Sequence, residues 1–183
     1  TARAAERIGC TAAAAQKVLR ESRYVFLGVK PQMIERVTAP LAVDIAASGA
    51  VFVSMLAGVT LSRLEELLGG KKIIRIMPNT PCAVGSGLIL HCANDRVSGE
   101  EERGFEALLA AAGALDALDE RLIDAASAVS GCGPAYVYMF IEALADGAVK
   151  GGLPRAQALD YAARTLIGSA EMVLRSGTHP EQL

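Results

Sequence analysis

Three short apolar segments that alternate with helical patterns set the fold class of this chain. They cover residues 23–29, 50–55 and 72–77, and each is rich in branched or aromatic apolar residues. Runs of this length and composition are typical of strands that are buried on both faces. Because helical patterns separate them, we expect an α/β fold in which a parallel sheet carries helices on both faces.

Start and stop signals mark the helices between these strands. Pro31 suits the first turn of a helix, where its missing N–H costs nothing. Ser98 and Glu101 have the spacing of a capping box. Thr11 is expected to cap the second part of the first helical segment. These signals predict helices over residues 1–22, 31–47 (interrupted near residue 38), 60–68 and 98–112.

The pattern changes after about residue 120. A fourth, more exposed strand fits residues 87–92 and an edge strand fits 114–118, but beyond them the signals are helical, over 121–129, 134–150 and 154–175. We therefore predict two domains, 1–120 with the sheet and 121–183 with helices only. The helix over 134–150 is apolar on nearly all sides, which predicts that it lies in a domain or subunit interface.

Charge and composition argue against several classes of function. The net charge is −2, and no basic patch indicates a nucleic-acid partner. No run of about 18 apolar residues indicates a membrane span. The four cysteines lack zinc-knuckle spacing, and His91 and His179 are far apart, so we expect no metal site. Scattered thiols of this kind are typical of a reduced, cytoplasmic protein.

The ends of the three predicted strands carry the first candidate site. They read Gly-Val-Lys-Pro over 28–31, Ser-Met-Leu-Ala-Gly-Val over 54–59 and Met-Pro-Asn-Thr-Pro over 77–81. Each segment alone is an ordinary turn, since glycine and proline are the usual turn residues. Three such turns at one edge of a parallel sheet indicate a ligand site, because ligands bind at the carboxyl ends of the strands.

A fourth segment, Val-Ser-Gly-Cys-Gly-Pro-Ala-Tyr over 129–136, leads into the apolar helix. The free N–H groups of a helix start can hold an anion such as a carboxylate. Ser130 is not expected to be a nucleophile, because no histidine is near it in sequence. Cys132 is more simply a small packing residue than a thiolate of lowered pKa.

Five motifs of the chain, taken in the order in which they occur, resemble those of the pyrroline-5-carboxylate reductase family. They are Val-Lys-Pro at 29–31, Ala-Gly-Val-Thr at 57–60, Arg-Ile-Met-Pro-Asn-Thr-Pro at 75–81, Ser-Gly-Cys-Gly-Pro-Ala-Tyr at 130–136 and the segment from Glu142 to Arg155. The resemblance implies a Rossmann-like dinucleotide-binding domain followed by an all-α dimerisation domain. It also implies reduction of Δ1-pyrroline-5-carboxylate to L-proline by hydride transfer from NADPH or NADH, in the cytoplasm, by a homodimer or higher homo-oligomer.

The resemblance also assigns roles to residues. It implies that the cofactor contacts Gly28, Val29, Lys30, Pro31, Met55, Leu56, Ala57 and Asn79. It implies that the substrate contacts Ser130, Gly131, Cys132, Gly133 and Pro134. A cyclic imine is easily protonated and then accepts hydride readily, so no essential acid is expected, and Thr80 and Ser130 are predicted to act through hydrogen bonds only.

Several features depart from the family pattern. The family's first strand, its glycine-rich pyrophosphate loop and its later serine- and glycine-rich loop have no counterpart here, so the segment as given is expected to be inactive. Cys132 stands where the family usually has serine. Two other interpretations stay open: a non-catalytic dinucleotide-binding or assembly module of the same fold, and a related imine or β-hydroxyacid reductase.

Overall fold

The structure is a computed structural model that describes residues 2–183. Within this range one sheet contains five strands in the order in which they follow along the chain: β1 (Tyr24–Leu27), β2 (Val51–Ser54), β3 (Lys72–Met77), β4 (Gly87–Ala93) and β5 (Gly113–Ala117). The first three strands are mutually parallel, as expected from the alternating pattern.

The fourth strand departs from the prediction in two ways. It runs antiparallel to β3, while β5 is again parallel to it, so the sheet is mixed. It is also largely buried rather than more exposed, because β3 and β5 pair with its two edges. The link from β3 to β4 has only nine residues, 78–86, whereas a parallel crossover needs a dozen or more.

Helices cover both faces of the sheet. Those of the first 131 residues are α1 (Ala2–Ile8), α2 (Ala15–Glu21), α3 (Ile34–Thr38), α4 (Ala42–Ala47), α5 (Leu61–Leu68), α6 (Gly99–Leu109) and α7 (Glu120–Ser130). Phe52 and Ile73 pack on one face with residues of α2, α4 and α5, and Val53 and Ile74 pack on the other face with Phe105 of α6. Burial of each such side chain contributes about 1.5–3 kcal/mol.

The capping predictions have mixed outcomes. Ser98 and Glu101 form the predicted capping box at the start of α6. Pro31 opens a short 3-10 turn ahead of α3. The prediction for Thr11 was wrong, because the chain leaves helix after Ile8 and α2 starts at Ala15, so Thr11 lies in the non-helical link.

The chain divides into two compact units, one ending at Gly131 and the other running from Cys132 to Leu183. The second unit contains α8 (Gly133–Lys150) and α9 (Arg155–Ser176), which pack on each other. Both helices confirm their predicted spans. This division into compact units does not test where the domains begin and end in evolution or function. The domain boundary predicted after residue 120 therefore stays a prediction.

Candidate functional site

The carboxyl ends of β1, β2 and β3 lie at one edge of the sheet. Leu27 pairs with Ser54, and Ser54 pairs in turn with Arg75, so the residues that follow these strands leave the sheet on the same side. The three turns singled out in the sequence are therefore neighbours at one edge. This is the place where open α/β sheets bind ligands.

The first two turns touch. An ideal Cβ built on Gly28 would come within 3.2 Å of the Cε of Met55. The absence of a side chain at Gly28 thus leaves space for the Met55 side chain, which is 39 % exposed. Gly28 is exposed, so the backbone of the first turn is open to solvent beside the Met55 thioether.

Most of the predicted cofactor residues are accessible at this edge. Exposed residues of the set are Gly28, Lys30, Pro31, Met55 and Ala57, and Val29 is half-buried. Leu56 differs, since the whole residue is 1 % exposed and belongs to the core. Its backbone N–H donates to the Oγ of Ser54 at 3.3 Å, so Leu56 supports the turn from inside.

Asn79 has a precise structural role at the end of β3. Its Nδ2 donates a hydrogen bond to the carbonyl oxygen of Ser130 at 3.0 Å, and its Oδ1 accepts one from the backbone N–H of Leu88 at 3.0 Å. One amide thus joins the turn after β3, the start of β4 and the last residue of α7. Thr80 follows it as the first residue of a 3-10 turn, and Thr80 is exposed.

Ser130 is buried, with 7 % of its surface exposed. Among the described residues its Oγ has no hydrogen-bond partner, which is costly for a buried hydroxyl. The neighbouring Gly131 is constrained as well, because an ideal Cβ there would lie 2.8 Å from the carbonyl oxygen of Ser127. An unsatisfied buried hydroxyl of this kind requires an explanation, and it lies beside a glycine that cannot take a side chain without a local shift.

The remaining residues of this segment begin the second unit. Cys132 is exposed and immediately precedes α8, and Gly133 and Pro134 are its first two residues. Proline in the first turn matches the predicted helix start. The assignments of the cofactor and substrate residues stay predictions.

Arg75 is a residue to which the sequence analysis assigned no role of its own. Its side chain is 2 % exposed, and it donates hydrogen bonds of 3.0 Å to Glu120 and 3.0 Å to Asp124. Glu120 also accepts the backbone N–H of Leu61 at 2.7 Å. These contacts hold α7, and with it Ser130, against the sheet. Arg75 has isoleucine on both sides in β3, and a charged residue between buried apolar neighbours is the sequence signal for a buried ion pair.

Comparison with known proteins shows which family shares this architecture. The family model described as pyrroline-5-carboxylate reductase dimerisation matches residues 120–183. A solved pyrroline-5-carboxylate reductase from Streptococcus pyogenes is 32 % identical, with a TM-score of 0.88, over 98 % of this chain and 68 % of that one. This chain belongs to the pyrroline-5-carboxylate reductase family.

Other members agree with this assignment. A pyrroline-5-carboxylate reductase of Synechocystis is 42 % identical over 92 % of this chain. The solved Plasmodium falciparum pyrroline carboxylate reductase, which has NADP bound, is 32 % identical with a TM-score of 0.84 and covers 93 % of this chain. The chain spans 62 % of the Synechocystis reductase and 65 % of the Plasmodium chain. The fold is accordingly Rossmann-like, followed by a helical dimerisation region.

The apolar helix α8 lies within the part that matches the dimerisation model. Tyr136, Met139 and Phe140 are each more than half exposed in the isolated chain. By length and composition alone the stretch Glu120–Lys150 could also cross a membrane, and most of its apolar part is not buried. The match to a reductase dimerisation region favours protein as the cover for this surface. The expectation of no membrane partner stays a prediction.

Proposed function

We propose that this protein reduces Δ1-pyrroline-5-carboxylate to L-proline by hydride transfer from NADPH or NADH, the last step of proline biosynthesis. The observation that carries the proposal is the family membership over nearly the whole chain, joined to three strand ends that meet at one sheet edge. The Synechocystis and Streptococcus pyogenes relatives are pyrroline-5-carboxylate reductases, and we assign the same activity to this protein by that similarity.

The cofactor is proposed to lie along the exposed strand ends. When bound, NAD(P)H supplies the hydride. Gly28 and Ala57 offer backbone without bulky side chains, and Met55 offers an apolar thioether surface between them. Lys30 is exposed beside this edge and provides a positive charge. These groups fit a flat ring and an anionic linker, and Asn79 fixes the turn against which the ring would rest.

The substrate carboxylate is proposed to bind in the segment that starts at Ser130 and continues through Gly131, Cys132, Gly133 and Pro134. The support is the unpartnered Oγ of Ser130, which can donate to an anionic oxygen. The first N–H groups of α8 provide further donors in the same stretch of chain. Thr80 is proposed as a second hydroxyl that hydrogen bonds to the substrate.

The chemistry asks little of the protein beyond positioning. A cyclic imine is protonated readily, and its iminium carbon accepts a hydride directly. The step therefore needs neither a metal ion nor a nucleophilic side chain of the protein. The residues of this chain then have three tasks: to hold the two reactants face to face, to exclude water, and to satisfy the carboxylate. No side chain is assigned as an essential general acid.

We further propose a homodimer or higher homo-oligomer built on α8, since the matched region is a dimerisation region and its apolar side chains are exposed in one chain. The cytoplasm is the proposed location. Its support is the free state of Cys10, Cys82, Cys92 and Cys132 in the described part of the chain, as expected in a reducing compartment.

The test is NAD(P)H oxidation with pyrroline-5-carboxylate by the protein in the longest form that its gene encodes. Gly28→Val is expected to raise the KM for the nucleotide about tenfold, equivalent to ~1.4 kcal/mol, by pushing Met55 into the edge. Gly49→Val is the matched control, since an added Cβ there meets nothing within 4 Å. Equal kinetics of the two variants, or no turnover by folded wild-type protein, would contradict the proposal.

A further inference from the structure

His91 is a histidine in the core of the first unit that the reductase chemistry does not use. Its side chain is 0 % exposed, and neither ring nitrogen has a hydrogen-bond partner among the described residues. The ring packs edge-on against Phe105, with centroids 5.4 Å apart and planes at 66°, which fixes its orientation. Two unsatisfied nitrogens on a fully buried ring require an explanation.

Both nitrogens face carboxylates of α6. Nδ1 lies 3.6 Å from Oε1 of Glu102, and Nε2 lies 3.4 Å from Oε1 of Glu106. The two glutamates are four residues apart, so they occupy the same face of the helix. Their side chains are 33 % and 41 % exposed, so they stand between the buried ring and solvent.

Both separations are longer than ordinary hydrogen bonds, and only one of them can lie within the ligand set of a single ion, because an imidazole ring binds an ion through one nitrogen. One donor atom from each of the three residues can be chosen so that all three atoms lie within 4.8 Å of one another. Around a tetrahedral ion with bonds of about 2.0–2.1 Å, neighbouring ligand atoms are roughly 3.4 Å apart. Hydrogen bonds between N–H and oxygen would instead bring the heavy atoms to about 2.9 Å.

The surroundings also favour a cation. His91 and Glu102 help to line a cleft of about 510 Å³, which Asp95 also lines. The carboxylates of Asp119 and Glu120 lie at the same cleft but are paired with Arg121 and Arg75. The carboxylates of Asp95 and Glu102 give the cleft negative charge, which raises the local concentration of cations.

We propose that His91, Glu102 and Glu106 bind one divalent transition-metal ion of the Zn²⁺ class. One imidazole nitrogen and two carboxylate oxygens form a mixed donor set that suits such ions, and water completes the coordination. The ion links β4 to α6 and so fastens the helix to the sheet. This proposal revises our expectation of no metal site, which weighed only the distance between His91 and His179 in sequence.

Cys92 is not part of this ligand set. Side chains alternate across a strand, so Cys92 points to the opposite face of β4 from His91. The proposed site therefore has nitrogen and oxygen ligands only, and this sets it apart from adventitious binding at the exposed Cys10 and Cys132.

The test is titration of chelator-treated full-chain protein with Zn²⁺ against a chromophoric competitor. Glu102→Gln and Glu106→Gln keep size and helix propensity but remove a charged ligand. Each is expected to weaken binding by at least the ~10–100-fold that loss of a merely supporting residue costs at metal sites. Glu100→Gln, in the first turn of the same helix but with an 81 % exposed side chain, is the matched control and should bind like wild type.

Co²⁺ serves as a second probe. Its visible spectrum should report a site of low coordination number without the near-ultraviolet band of a thiolate ligand. Thermal melting of each variant without metal shows that it is folded, so that weaker binding reflects a lost ligand. No Zn²⁺ binding by wild type, equal binding by all variants, or a thiolate band would each overturn the proposal. So would ¹⁵N shifts that show His91 as an imidazolium between two carboxylates while Zn²⁺ is present.

Discussion

The side-chain amide of Asn79 holds the carbonyl oxygen of Ser130 at 3.0 Å and so ties the end of β3 to the end of α7. One hydrogen bond thereby connects a residue that we assign to the cofactor with the residue that we assign to the substrate. Within the first unit, the geometry of the proposed site therefore depends on packing between a strand end and a helix end rather than on a mobile loop.

We predict that Asn79→Ala lowers the free energy of unfolding by about 1–3 kcal/mol, because it leaves the Leu88 N–H and the Ser130 carbonyl without their partner. Asn79→Asp keeps the acceptor for Leu88 but sets a carboxylate oxygen against the Ser130 carbonyl oxygen, so it should cost at least as much as Asn79→Ala. Urea denaturation measures all three proteins. Equal stability of Asn79→Ala and wild type would show that the amide does not hold these segments together.

The two partners of Arg75 should differ in their contributions to stability. Glu120 has a 28 % exposed side chain and also accepts the Leu61 N–H, whereas the Asp124 side chain is 79 % exposed. We expect Glu120→Ala to cost about 3 kcal/mol, as for a broken buried pair. Asp124→Ala should cost less than about 1 kcal/mol, as for a surface pair. Chemical denaturation at neutral pH measures both, and the reverse order of cost would contradict this account.

The ion pair of Glu101 predicts a specific pH dependence. Its hydrogen bond to Lys72 and the bonds from Ser98 lower the pKa of Glu101 from 4.5 to about 2. Because the folded-state pKa is depressed, the stabilisation is complete above about pH 4.5 and is lost as pH falls toward 2. The stability difference between wild type and Glu101→Gln should therefore shrink over this range.

Urea denaturation at a series of pH values checks this dependence. Glu100→Gln removes a neighbouring carboxylate whose side chain is 81 % exposed, and it should follow the wild-type curve. A constant difference between wild type and Glu101→Gln from neutral pH down to pH 2 would rule out the proposed linkage.

The apolar surface of α8 predicts assembly. Phe140 is 54 % exposed in the isolated chain, so Phe140→Asp should place a charge in the proposed interface and convert oligomer to monomer in sedimentation velocity. Leu108→Asp is the matched control, because Leu108 is 56 % exposed but lies on α6, outside the matched dimerisation region. A Phe140→Asp protein that sediments like wild type would remove α8 from the interface.

Much of the fold could be predicted from hydrophobic periodicity and capping signals. Strand β3 at residues 72–77 and the capping box at Ser98 and Glu101 were both found because their signals are local. The direction of β4 was missed although the nine-residue link before it was informative. Link length constrains strand direction, while composition does not.

The site was only partly predictable for a related reason. Turn residues such as Gly28 and Asn79 can be recognised from the sequence alone. Partners that meet only through the tertiary fold cannot be recognised in this way. Examples are Arg75 with Glu120 and His91 with Glu106, which are separated along the chain by intervening elements. The orphaned hydroxyl of Ser130 is likewise a property of packing, and no local pattern reports it.

The most direct test follows a labelled hydride. The protein, in the longest form that its gene encodes, is incubated with pyrroline-5-carboxylate and with NADPH or NADH in which both hydrogens on the hydride-donating carbon are deuterium. Our account predicts L-proline with one deuterium on the ring carbon that belonged to the C=N bond. Folded protein that consumes no nucleotide, or that yields proline without deuterium, would contradict it.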